Sequence, residues 1–220
     1  MANITVKELL DGVQQTQLND VEQVTFTETL LLSALNQALA LLVLVRPDVT
    51  ATFQTLACTE GTRQELPTDG LRLLKVVRNV KNDGKPGRAV RLVNQHDLDS
   101  TDPDWHSGTP KQVIKEYMFD ERSPTSFYIY PPAVAGTKLD IEYSKQPNEI
   151  ISVEETLPVS NIYRQPLQEF ILYKLLSGEG GQGQGMQHFN TALSLIGAKP
   201  ALDKYLAPVA ETSPATGVGR

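Results

Sequence analysis

Hydrophobic residues in the first fifty positions fall into two helical patterns. Between Leu30 and Val45 (LLLSALNQALALLVLV), Leu31, Leu35, Ala38, Leu42 and Val45 recur with helical spacing, while Leu32, Leu39, Leu41 and Leu44 fill much of the opposite side. A helix apolar nearly all round needs partners on two faces. Thr25 with Glu28 fits a capping box at its entry, and Pro47 stops it at Arg46. Ahead of it, Val6 to Gln17 predicts a weaker helix whose apolar face is Leu9, Leu10 and Val13.

From Val49 to Tyr143 the pattern changes to β-branched runs broken by turn residues, which predicts short antiparallel strands. The candidates are Thr50–Cys58, Leu71–Val80, Arg88–Val93, Val113–Phe119, Ser126–Tyr130 and Lys138–Tyr143. Asn82 to Gly87, Arg122-Ser123-Pro124 and Pro131-Pro132 with Gly136 are the turns between them. The last two strands are close enough to pair as a hairpin, with Phe127, Ile129, Leu139, Ile141 and Tyr143 supplying apolar side chains.

Helical spacing returns after Pro147. Tyr163, Leu167, Phe170, Ile171 and Leu175 form one stripe, and Met186, Phe189, Leu193 and Ile196 form another. Pro166 sits in the first turn of the first helix or kinks it. Gly178 to Gly185 (GEGGQGQG) reads as a flexible turn that lets the two helices fold back antiparallel. Pro208 to Arg220 has almost no apolar content and reads as a disordered tail.

The expected fold class is therefore α+β: a helical bundle of N- and C-terminal helices with an inserted antiparallel β-rich module. The corresponding segments are 1–48, 49–147 and 148–207, followed by the tail 208–220.

Composition narrows the function. Twenty basic against 26 acidic residues give a net charge of −6, which argues against a protein whose main task is gripping phosphate backbones. A single cysteine, Cys58 in TLACT, forms no internal bridge and reads as a small buried apolar residue. The opening MANITVKELL carries Glu8 and lacks an unbroken apolar core, so no targeting segment is expected. The Leu30–Val45 run contains Ser33, Asn36 and Gln37 and falls short of the roughly 20 apolar residues that span a bilayer, so no membrane contact is expected.

Catalytic patterns give little. Gly178, Gly180 and Gly183 satisfy G-x-G-x-x-G, but a helix rather than a strand precedes them, so pyrophosphate would not meet the motif's geometry. Donors crowd between His96 and His106, yet the spacing is not that of a calcium loop, and Pro103 forbids a regular helix through all of them. That segment reads as a polar surface loop or subunit contact. His188 lies beside an apolar stripe without a partner motif and reads as a surface histidine. No enzyme, metal or cofactor is nominated.

Charge is uneven in one place. Between Leu71 and Arg91 stand Arg72, Lys75, Arg78, Lys81, Lys85, Arg88 and Arg91 against Asp83 alone, an excess of six positive charges that leaves −12 for the rest of the chain. Three readings are open: contact with nucleic acid, salt bridging to an acidic loop of a neighbouring copy, or a solvated face. Head-to-tail assembly sets one patch of each protomer against a different patch of the next. The acidic counterpart would be Asp97, Asp99, Asp102 and Asp104, facing Arg72, Lys75, Arg78, Arg88 and Arg91.

Taken in order, these segments resemble the head-to-tail adaptor (connector) proteins of tailed bacteriophages. The resemblance rests on the N-terminal helices, the Leu71–Asn79 strand, and Asp102-Pro103-Asp104-Trp105 followed by Gly108-Thr109-Pro110. It continues through the Tyr128-Ile129-Tyr130-Pro131-Pro132 strand end, the Leu139–Tyr143 strand with Pro147, and the paired Tyr163–Leu175 and Met186–Ile196 helices. It implies a structural, non-catalytic virion protein forming a ring, commonly of twelve copies, at the neck between portal and tail or nozzle proteins. The ring would be made in the host bacterial cytoplasm and would pass DNA through its lumen without binding it specifically. A terminal segment that orders on docking to the portal would give 208–220 a purpose. The readings that compete are another neck or tail-completion protein, and a binding module whose basic strand contacts nucleic acid.

Overall fold

The computed structural model describes residues 4–20, 22, 25–177 and 182–197. Its helices are α1 (Val6–Val13), α2 (Glu28–Val45), α3 (Gln95–Thr101), α4 (Arg164–Leu176) and α5 (Gln182–Leu195). Its strands are β1 (Ala51–Ala57), β2 (Gly61–Glu65), β3 (Gly70–Val80), β4 (Pro86–Ala89), β5 (Arg91–Leu92), β6 (Glu116–Phe119), β7 (Ser126–Ala133) and β8 (Lys138–Lys145). The fold is α+β. Residues of α1, α2, α4 and α5 share one apolar core with Ile150, Leu157 and Val159, and the strands enclose a second around Val76, Phe127, Ile129, Ile141 and Tyr143.

Capping sets where the first helices begin. Thr5 and Glu8 form a reciprocal capping box on α1, each side chain accepting a hydrogen bond from the other residue's backbone N–H. The expected box at Thr25 is absent. Thr27 caps α2 instead, accepting from the Leu30 N–H, while the N–H groups of Thr25 and Phe26 donate to the Asp20 carboxylate at 3.0 and 2.7 Å. Thr25 stands two positions ahead of the helix entry, and its backbone is held by that carboxylate.

At 18 residues α2 has the length and hydropathy of a bilayer span. Leu31, Ala34, Leu35, Ala38, Leu39, Leu42 and Val43 are buried against the other helices. Asn36 fixes the helix laterally: its Nδ2 donates to the Ile150 carbonyl and its Oδ1 accepts from the Ile150 N–H, both at 2.9 Å. The opposite side stays open, with Leu30, Ser33, Gln37, Ala40 and Leu44 exposed in one stripe and Leu44 77% accessible.

The strands form two four-stranded sheets, ordered β1-β8-β3-β4 and β2-β7-β6-β5. Pairing is antiparallel except between β5 and β6, which run parallel, so the module is not wholly antiparallel. The expected hairpin of the last two strands does not form. β7 lies in one sheet and β8 in the other, and their apolar side chains meet across the core instead of side by side. The expected Arg88–Val93 strand is broken into β4 and β5 around the buried Val90. β3 carries three register shifts, and its buried residues Leu73, Val76 and Asn79 recur every third position. Lys75 and Arg78 are thereby both turned outward.

Pro166 sits in the first turn of α4, where its missing N–H costs no hydrogen bond. In α5 the buried residues are Gly185, Ala192 and Leu193, with Ile196 just beyond, and Phe189 is partly buried; Met186, expected on this stripe, is 50% exposed. Phe189, Leu193 and Ile196 keep the expected stripe, and at its start Gly185 takes the inward place of Met186, approaching the end of α4 closely: a Cβ placed there would lie 2.2 Å from the Ser177 hydroxyl. Residues 178–181 and the tail 208–220 lie outside the described residues.

Candidate interaction surfaces

The basic strand is largely neutralised within its own chain. Arg72 Nη2 donates to Glu121 Oε1 at 2.9 Å, Arg78 Nε donates to Asp140 Oδ2 at 2.8 Å, and Arg91 pairs with Glu116. Asp140 also accepts the Thr55 hydroxyl at 2.7 Å, so β1, β8 and β3 share one polar network on the outer face of their sheet. Lys75 stands opposite Glu142 in the β3–β8 register, and the Arg88 side chain is exposed on β4. Such partly exposed pairs are worth about 0–1 kcal/mol each and exchange partners cheaply.

The acidic segment is more ordered than a loop. Asn94 caps α3 by accepting from the His96 N–H, and Asp97 lies in its first turn. Pro103 lies beyond the helix end at Thr101 and does not interrupt it. Asp99 Oδ1 accepts the Trp105 indole N–H at 2.8 Å, and the His106 ring shares a hydrogen bond with the Thr62 hydroxyl. The buried Trp105 ring meets Tyr128 and Tyr130 edge-on and stacks on His106. This anchor presents Asp102 and Asp104 on a fixed bend, and neither carboxylate has a hydrogen bond or ion pair among the described residues. Among the described residues, no candidate basic residue pairs with any of the four aspartates, and no group of three or more His, Cys, Asp or Glu side chains is placed to hold a metal ion.

Two other polar sites escaped the sequence. His188 is not a free surface histidine: its Nδ1 lies 2.7 Å from Oε2 of the buried Glu169, whose Oε1 accepts from Gln165. Spacing alone could not join residues on two different helices 19 positions apart. Tyr143 Oη lies within hydrogen-bond reach of both Gln54 and Asp69, and Lys145 beside Asp69 holds that carboxyl below its ordinary value. Cys58 is buried as expected, and burial pushes its thiol up to about 12.

The chain belongs to the SU10 adaptor protein family, whose profile matches residues 4–212. Membership makes it a phage structural adaptor, in line with the resemblance to head-to-tail adaptors. No curated protein matches it closely enough to serve as a relative.

Proposed function

We propose that this chain forms a ring at the phage neck, between the portal and the tail or nozzle proteins, with a lumen that passes DNA without specific binding. Membership of the adaptor family over nearly the whole chain carries the reading. The open stripe Leu30, Ser33, Gln37, Ala40 and Leu44 supports it, because it leaves two leucines largely in water on a mixed face that a second surface could cover.

Twelve copies, synthesis in the host cytoplasm and a terminal segment 208–220 that docks on the portal belong to the same proposal. So does the division into N-terminal helices over 1–48, a β-rich module over 49–147 and a helical hairpin over 148–207. The ring interface is read as heterologous, with Arg72, Lys75, Arg78, Arg88 and Arg91 of one protomer towards Asp97, Asp99, Asp102 and Asp104 of the next. The exposed internal pairs of Arg72, Arg78 and Arg91 would exchange for intersubunit ones.

Light scattering of the purified protein, alone and mixed with a phage portal ring, tests the proposal. A multi-copy ring on the portal is expected. A chain that remains monomeric and ignores the portal overturns it.

A further inference from the structure

One end of the β module holds a cleft of ≈ 440 Å³ between the β3–β4 turn, the β7–β8 turn and the segment before β6. Lys81, Arg88 and Lys138 line it, and none of its lining residues is acidic. Asp83, in the β3–β4 turn, feels Lys81 but is already bound by Lys85, through the backbone N–H at 3.1 Å and Nζ at 3.2 Å. Thr137 also lines the cleft, with its hydroxyl oxygen buried behind the surface. Val113 and Val134 complete the wall while remaining 50% and 37% exposed.

Three cations and two wet valines suit an oxyanion carried beside a small apolar group. A DNA backbone supplies the oxyanion but leaves the valines in water. The Asp102-Pro103-Asp104 bend supplies two unpaired carboxylates flanking a proline ring, and it is held in place by the Trp105 anchor.

We infer that this cleft receives the Asp102–Asp104 bend of a second copy, whose carboxylates pair with Lys81, Arg88 and Lys138. The contact rests on the ring proposed above and gives it a defined lock. It moves the basic half of the interface from the face of β3 to the cleft, with Arg88 common to both.

A charge swap tests the contact. One variant carries Arg88→Glu with Lys138→Glu, and the other carries Asp102→Lys with Asp104→Lys; circular dichroism melts verify that each folds. Each variant alone is expected to lose rings, and an equimolar mixture to regain them, because alternating copies restore opposite charge at every contact. A milder variant, Lys138→Gln, removes one exposed cation of the cleft and is expected to weaken ring association about tenfold while leaving the melting temperature of the monomer unchanged.

Rings that form normally from either charge variant alone overturn the contact and leave the ring reading standing, as does a mixture of folded variants that fails to assemble. Retention of a 30-bp duplex by wild type but not by the cleft variant, with assembly unchanged, assigns the cleft to phosphate and likewise overturns the contact. A wild-type chain that never assembles on the portal overturns the ring and the contact together.

Discussion

The buried side chain of Asn79 holds the backbone of Ile114 in both directions: its Nδ2 donates to the Ile114 carbonyl at 2.7 Å, and its Oδ1 accepts from the Ile114 N–H at 2.7 Å. The same Nδ2 donates to the Arg88 carbonyl at 2.9 Å. One side chain on β3 therefore ties down both β4 and the segment leading to β6. These segments carry Arg88 and Val113 into the cationic cleft. Asn79→Ala leaves three backbone groups without their partner, at about 1–3 kcal/mol for each that water cannot reach. A loss of roughly 2–4 kcal/mol in urea unfolding is expected, placing it among the larger single-site effects. Asn79→Asp is expected to be at least as damaging, because a carboxylate would then face two carbonyl oxygens.

Much of this fold was legible because burial follows spacing. Leu31, Leu35, Ala38 and Leu42 announced α2, and all four are buried. β2 was missed because its buried residues are polar. Gln64 is buried on hydrogen bonds to Thr59, with Oε1 accepting the Thr59 N–H and Nε2 donating to its carbonyl, which no hydrophobic alternation reveals. α3 was missed because it buries no residue at all, so only Asn94 could have marked it. The β7–β8 hairpin was expected from proximity in sequence, but proximity does not say which sheet a strand joins. Free charges were legible as charges only. Their internal partners, Glu121, Asp140 and Glu116, come from strands or turns up to 62 residues away.

The open stripe of α2 separates folding from assembly. Leu44 is mostly in water in the single chain, so Leu44→Gln removes little buried area. Its thermal unfolding should shift by less than about 0.5 kcal/mol, the usual range for surface changes. Ring mass measured by light scattering should fall. Leu42→Gln makes the internal contrast, since Leu42 is fully buried and the change places a polar amide in the helical core. That variant is expected to lose several kcal/mol, since burying an amide without hydrogen-bond partners costs roughly 2–7 kcal/mol.

Glu169 and His188 couple α4 to α5. The Glu169 side chain is 11% exposed, so removing its partner strands a carboxylate that retains only the Gln165 amide. His188→Ala is expected to cost roughly 1–3 kcal/mol, the penalty for leaving a buried acceptor short of a donor. Glu169→Gln keeps the shape and removes the charge, and in combination with His188→Ala it should recover some of the loss. Urea unfolding of the two single variants and the double variant measures the coupling directly.

Alkaline pH supplies a test through Cys58. Burial raises the folded-state pKa of this thiol to about 12, above the ordinary cysteine value, so folding favours the neutral form. The stabilisation is complete below the unfolded pKa of about 8.5 and is lost progressively as pH rises from there to about 12. Within that window stability should fall by up to about 1.4 kcal/mol per pH unit. Tyr117 and Tyr143 are also shifted upward, chiefly by burial, and add the same sign of slope from about pH 9 upward, as a free tyrosine of pKa about 10 begins to ionise. Cys58→Ala isolates the thiol. Urea midpoints at pH 7, 8.5, 9.5 and 10 should show the variant less stable at pH 7, because it leaves a small cavity, and less sensitive to pH between 8.5 and 10 than the parent. Parallel curves for the two proteins across that interval would mean that the thiol ionises without opening the β core, and the assignment of alkaline sensitivity to Cys58 would fail.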